Sequence, residues 1–178
     1  ETARAQLQTL MLAFNFSAVE RGGKLDLSHP PLRPKRQIGD DALAIEDDLQ
    51  AIKRFRAPQA ETIGRVQLSY TEADGAFETR VTEAQFPDDD EITTSRNELA
   101  LSLTASEARD IAQRWLAGAR VARDSLELAL PPSARDVEAG RVVSLSDGTL
   151  WRVDRVEERG LRRLEAARVE PSLLSPPD

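Results

Sequence analysis

The sequence predicts an α+β fold, in which β-rich, barrel-like modules carry two amphipathic helices on mainly antiparallel sheets. Three observations lead there. Leucines alternate with polar residues from Ser95 to Leu103, a helix-start signal follows at once, and glycine-bearing turns then separate short alternating runs. A period of two marks a half-buried strand, whereas a period near 3.6 marks a helix with one buried face.

The stretch from Ser95 to Val169 organises the chain. Leu99, Leu101 and Leu103 face one way, and Glu98, Ala100 and Ser102 the other. Thr104-Ala105-Ser106-Glu107 is a capping box: the threonine hydroxyl accepts from the Glu107 N–H, and the carboxylate reaches back to the Thr104 N–H. Ala108, Ile111, Ala112, Trp115, Leu116 and Ala119 then form one apolar stripe on a helix running to about Val121. Gly118 weakens that helix, and close approach of a neighbour is the expected reason for it. A strand from Ser125 to Leu130 ends at Pro131-Pro132, because proline offers no N–H to a ladder. Arg141–Leu145 and Leu150–Val156 pair around Asp147-Gly148, and a last strand, Leu161–Val169, follows the turn at Arg159-Gly160.

Upstream, Ala3, Leu7, Leu10 and Phe14, with Met11 alongside, predict a short amphipathic helix. Phe16–Glu20 and Lys24–Ser28 read as a hairpin around Gly22-Gly23, with Phe16, Ala18, Leu25 and Leu27 turned inward. His29 to Gly39, rich in proline, with Arg33, Lys35 and Arg36, reads as an extended linker or crossing arm. Gln50–Arg56, with Ile52 and Arg54 against Lys53 and Phe55, reads as a strand, and Gly64–Glu72 is another with Val66, Leu68 and Tyr70 in register; the chain turns at Asp74-Gly75, and Phe77–Phe86 returns as strand or helix, with strand favoured to about Ala84. The acidic run Asp88-Asp89-Asp90-Glu91 marks the expected internal boundary, giving a first module over residues 1–90 and a second over 91–178.

Composition narrows the function. The net charge of -7 argues against a nucleic-acid binder, which needs a basic footprint. The absence of cysteine excludes a disulfide framework and thiolate metal sites. No run approaches the roughly 18 apolar residues of a membrane span. Aromatic residues make up only 4% of the chain, so the core must be built from Leu, Val and Ala. The chain begins at Glu1 within a helical pattern, which suggests a piece of a longer protein.

Candidate chemistry is sparse. His29 is the one histidine and sits in a proline loop, where nothing rigid would align it for catalysis. Asp88 to Glu91 lack the spacing of a calcium loop. Gly22-Gly23 lacks the lysine-serine of a phosphate cradle. Trp115 belongs to the helix stripe, and Trp151 and Tyr70 are the residues a sugar would stack on if they were exposed. No residue is assigned a catalytic, cofactor-binding or metal-ligating role, and no cofactor is expected.

The run Thr104-Ala105-Ser106-Glu107-Ala108, continued by Ile111-Ala112-Gln113-Arg114-Trp115-Leu116, Ala119–Ser125 and Ala129–Ser133, resembles the hub protein of gene transfer agent tails and related siphophage tail-tip proteins. So do Val137–Val143, Trp151–Glu157 and Glu165–Pro171, and upstream Met11–Phe16 and Glu20–Leu25. The resemblance implies a trimeric baseplate hub at the tail tip, with paired barrel-like modules joining the tail tube. It implies as partners copies of itself, a distal tail protein and other tail-tip proteins, and as location the tail of a virion-like particle assembled in the bacterial cytoplasm. It implies a structural protein active in DNA ejection rather than an enzyme. The alternatives from other classes are a carbohydrate- or receptor-binding module and a fragment of a cell-wall hydrolase.

Overall fold

A computed structural model describes residues 3–29, 34–45, 51–58, 61–87 and 93–173. In chain order the elements are α1 (Ala3–Phe14), β1 (Ser17–Arg21), β2 (Lys24–Ser28), β3 (Arg36–Ile38), β4 (Ile52–Arg56), β5 (Ile63–Glu72), β6 (Thr79–Gln85), β7 (Thr93–Leu103), α2 (Ala105–Ala122), β8 (Asp124–Leu130), β9 (Val142–Leu145), β10 (Leu150–Arg159) and β11 (Leu161–Val169). They form two compact units. The first draws on residues up to Phe16 and on Pro58–Arg120; the second draws on Ser17–Ala57 and on residues from Val121 onward. Each unit therefore takes chain from both sides of residue 90, and the stretch that reads as one module divides between them: β7 and most of α2 in the first, β8 to β11 in the second.

The first unit is a three-stranded sheet, ordered β6-β5-β7, with α2 on one face. Period two is strict in β5: Val66, Leu68 and Tyr70 are buried, and Arg65, Gln67 and Ser69 face away. Leu99 and Leu103 of β7 close the same core with Ala108, Ile111, Ala112 and Leu116 of α2, and Trp115 packs at its margin. The sheet is mixed: β6 runs antiparallel to β5, whereas β7 runs parallel to it. A continued meander would have set β7 beside β6; β7 instead takes the free edge of β5. On the outer face a polar ladder crosses all three strands, Arg96 donating to Gln67 at 3.0 Å and Gln67 to Glu83 at 2.7 Å.

The capping box at the start of α2 forms as the sequence predicts. The Thr104 N–H donates to Glu107 Oε2 at 2.8 Å, and the Glu107 N–H donates to Thr104 Oγ1 at 3.3 Å. The backbone N–H and the hydroxyl of Thr104 hold the Glu107 carboxyl below its usual pKa. The neighbour expected at Gly118 is not found among the described residues: apart from the adjoining residues and the helix's own backbone, no heavy atom lies within 4 Å of where a Cβ would stand. In α1 the inward residues are Ala13 and Leu12, while Leu10 and Phe14 are exposed, so the predicted stripe is rotated away from the core. Arg114 of α2 donates to the Ala13 carbonyl at 2.7 Å, which satisfies one of the carbonyls that a helix end leaves open. Asn15, at φ 50°, then ends α1 in the left-handed region that asparagine tolerates.

The second unit centres on a six-stranded half-barrel sheet, ordered β3-β9-β10-β11-β8-β4. Leu126, Leu128, Leu130, Val143, Leu145, Trp151, Val153, Leu164 and Ala166 line its concave face. A register shift at Asp154 lets Trp151 and Val153 point inward and then brings Val156, not Arg155, back against the core. Three contributors lie outside the strands read from the sequence: Ile38 in β3, and Ala134 and Val137 in the loop after Pro131-Pro132, all at most 1% exposed. The stretch read as a linker therefore contains a strand, β3, parallel to β9. With β5 and β7, this is the second parallel pair; the other pairings are antiparallel, so the sheets are mainly antiparallel, as expected, but not purely so. Pro30 to Arg33 lie outside the described residues.

Opposite ends of the half-barrel sheet are tied together. Arg54, on the edge strand β4, reaches Asp147 in the β9–β10 turn at 2.8 Å. Asp147 also accepts from the Thr149 side chain and, at 2.9 Å, from the Thr149 N–H. The Thr149 hydrogen bonds, with Arg54 adding to them, lower its pKa to about 2.

Two measurements check these assignments. In urea unfolding, Thr104→Ala should cost about 1 kcal/mol through the lost cap, and Gly118→Ala should add up to about 1 kcal/mol because the site is helical and open. Asp147 has a folded pKa below its ordinary value of 3.8, so its contribution is complete above about pH 4 and is lost as the pH falls towards 2. The gap in stability between wild type and Asp147→Asn should therefore be at most about 1 kcal/mol near neutral pH, since both partners are substantially exposed, and should close by pH 2.

Candidate functional site

The residues weighed for chemistry do not converge. His29 is exposed beyond the end of β2. Gly22 and Gly23, with φ of +56° and +73°, form the two-residue turn between β1 and β2, as a hairpin of this length requires. Asp88 to Glu91 lie outside the described residues. Among the described residues, no group of three His, Asp or Glu side chains is placed to hold a metal ion. Trp151 is 3% exposed, with its indole N–H donating to Thr149 Oγ1 at 2.7 Å, and Tyr70 is 5% exposed. Neither offers a flat face to a sugar ring.

What the molecule does expose is apolar side chains at its turns and edges. In the first unit, Leu10 and Phe14 lie on the outer side of α1, and Val81 on the edge strand β6 is open to solvent. Phe77, at the tip between β5 and β6, is 68% exposed and sits at φ 55°, a region that a bulky residue enters only under strain. No helix among the described residues is long and apolar enough to cross a membrane.

In the second unit the hairpin β1–β2 stands as its own two-stranded sheet. Its register sets Ala18 opposite Leu27 and Glu20 opposite Leu25, so these four share one face. Val19, on the other face, seats against Gly140: a Cβ there would lie 2.9 Å from Val19 Cγ2, and Gly140 has φ +81°. The hairpin is thus held down by its valine side, and its leucine side points away. Leu25 and Leu27 are 54% and 55% exposed, which reverses the inward placement predicted for them. Alternation correctly puts them on one face but does not say which face meets the core.

A second apolar surface lies on the outer side of the half-barrel sheet. Phe55 of β4 is 41% exposed, with the Lys53 ammonium 5.2 Å from its ring centroid. Beside Lys53 is a cleft of about 160 Å³ whose floor includes Ala44 and Ala129, and Ile45 stands exposed next to Ala44. Across this face the pairing runs Lys53, Glu127, Glu165, Arg155, so two glutamates stand directly opposite each other between two cations. This face thus combines exposed apolar side chains with a row of opposed charges.

Residues 2–156 match the family described as "Putative phage tail protein". The chain belongs to this family of phage tail proteins, and it is a structural tail component. Among solved structures it is similar to a chain in the virion of a native gene transfer agent particle, with 43% identity, a TM-score of 0.89, and coverage of 98% of this chain and 40% of that one. It shares its fold at 11% identity with the 43 kDa tail protein of prophage MuSo2 from Shewanella oneidensis, over 99% of this chain and 55% of that one, at a TM-score of 0.56. A tail protein from Neisseria meningitidis MC58 matches likewise, at 11% identity and a TM-score of 0.57 over 93% and 53% of the two chains. The chain therefore spans about two-fifths of the gene transfer agent chain it matches. No curated protein matches it.

The strained aromatic gives a direct check on this surface. Phe77→Asn should raise stability by about 1 kcal/mol in chemical denaturation, because asparagine accepts the left-handed backbone more readily. A loss of stability on that substitution would mean that Phe77 packs into the fold.

Proposed function

We propose that the chain is a module of a baseplate hub, the joint between the tail tube and the distal tip of a phage-like particle, and that it acts in DNA passage without enzymatic activity. The observation that carries this reading is the alignment of nearly the whole chain, at 43% identity, with a chain of a native gene transfer agent virion. The physical character of the molecule supports it. Its polar side chains are spent on ladders and ties such as Arg54–Asp147 and Arg36–Asp136, and its exposed apolar residues lie at turns and edges where neighbours in an assembly meet.

In the assembled tail the module repeats about the axis as a trimer and contacts a distal tail protein and other tip proteins. The net charge of -7 suits a passage for DNA, since an acidic wall repels the polyanion and does not retain it. Two experiments test the reading. Particles made without this region should have tubes that end without tips and should fail to deliver DNA. The isolated chain should show no measurable affinity for duplex DNA even at low salt, where electrostatic binding is strongest. Intact tips in the deletion would remove the hub role, and tight DNA binding would remove the repelling wall.

A further inference from the structure

Period two along β11 sets Arg162 on the same face as Leu164 and Ala166, where the pattern calls for an apolar side chain. It is 7% exposed. Arginine keeps its charge on burial, so a guanidinium in this position needs a counter-ion and partners for its several N–H donors. The fold supplies little of either. Nη2 donates to the Val137 carbonyl at 2.8 Å. Among the described residues the counter-ion is Glu158, whose Oε1 lies 3.3 Å from Nη1 on a side chain that is 72% exposed. That is looser than the about 2.7–2.9 Å of a good charged hydrogen bond. Nε has no hydrogen-bond partner among the described residues. A buried donor left open in this way calls for a physical reason.

The reason lies in a cleft of about 470 Å³ that Arg162 lines, between the β10–β11 turn and the loop after Pro131-Pro132. Ligand sites occupy about 300–1,000 Å³, so the cleft admits a side chain with its flanking backbone. Arg135, Pro132, Leu161, Glu138 and Glu158 also line it. Arg135 is exposed, and its guanidinium takes part in no hydrogen bond or ion pair among the described residues. We propose that the cleft binds a carboxylate, the aspartate or glutamate of a peptide segment on another protein, which bridges Arg135 and Arg162 and displaces Glu158. Planar guanidinium forks match a carboxylate in shape and charge. Glu138 and Glu158 set the number of charges: beside them a multiply charged phosphate or nucleic acid is repelled more strongly than a single carboxylate. The same two residues accept N–H groups of the peptide backbone, and Leu161 and Pro132 give it an apolar edge. In the free chain Glu158 stands in for the absent carboxylate. The proposal does not depend on the hub reading, since it rests on the under-satisfied arginine and its cleft alone.

The test uses the whole chain, labelled with ¹⁵N, and the peptide acetyl-Gly-Asp-Gly-amide, with acetyl-Gly-Asn-Gly-amide and inorganic phosphate as comparisons. The aspartyl peptide should shift the Arg162 Nε–H signal and the Gly160 amide in a saturable way, and the asparaginyl peptide should not. Arg135→Gln should weaken binding several-fold. Glu158→Gln should tighten it several-fold, because the internal competitor is gone. Both positions are exposed, so the folded spectrum should persist in each variant. No saturable shift at Arg162, an equal response to the asparaginyl peptide, or weaker binding in Glu158→Gln would overturn the proposal. A stronger response to phosphate would overturn it too, in favour of a phosphate site.

Discussion

The six-stranded sheet of the second unit has one apolar face, and covering that face decides most of what the unit does. With few aromatic residues available, the cover is leucine, valine and alanine, each large aliphatic side chain contributing about 1.5–3 kcal/mol when buried. The shift at Asp154 keeps the concave side apolar along β10, which would otherwise have turned Arg155 inward. Curvature then leaves the outer side to charged and isolated apolar groups. The same logic holds in the first unit, where α2 covers one face of β6-β5-β7 and the other carries the Arg96–Gln67–Glu83 ladder.

Function follows from what that covering leaves over. The hydrogen-bonding side chains are occupied in tying strands and turns, as Arg54 is with Asp147 and Thr104 with Glu107. The two residues suited to stacking on a sugar, Trp151 and Tyr70, serve as core. The unspent features are leucines on a hairpin, a phenylalanine on an edge strand and a strained phenylalanine at a tip. Such features cost a lone protein solubility and are useful in an assembly.

Much of this was legible in the residues. The strict alternation in β5 and β7, the capping box and the Gly22-Gly23 and Asp147-Gly148 turns each carry a local physical signal, and the strands and helix appear where those signals place them. The sequence also carried the resemblance that the family match and the gene transfer agent structure support. Features set by long-range packing were not legible. Ile38 sits in a proline-rich stretch, and only its pairing with β9 makes it core. Ala134 and Val137 become core because a loop folds under the sheet, and neither lies in a periodic run. Leu25 and Leu27 look like core residues because alternation specifies a face without specifying its partner. Gly118 implied a close neighbour that the structure does not supply.

A reconstruction of an intact phage-like tail at side-chain resolution tests the account most directly. It should place this chain in a closed ring around the axis at the junction of tube and tip, with its sheets forming the wall and no bound substrate between elements. Finding the chain on a peripheral fibre, away from the axis, or folded around a glycan, would contradict it.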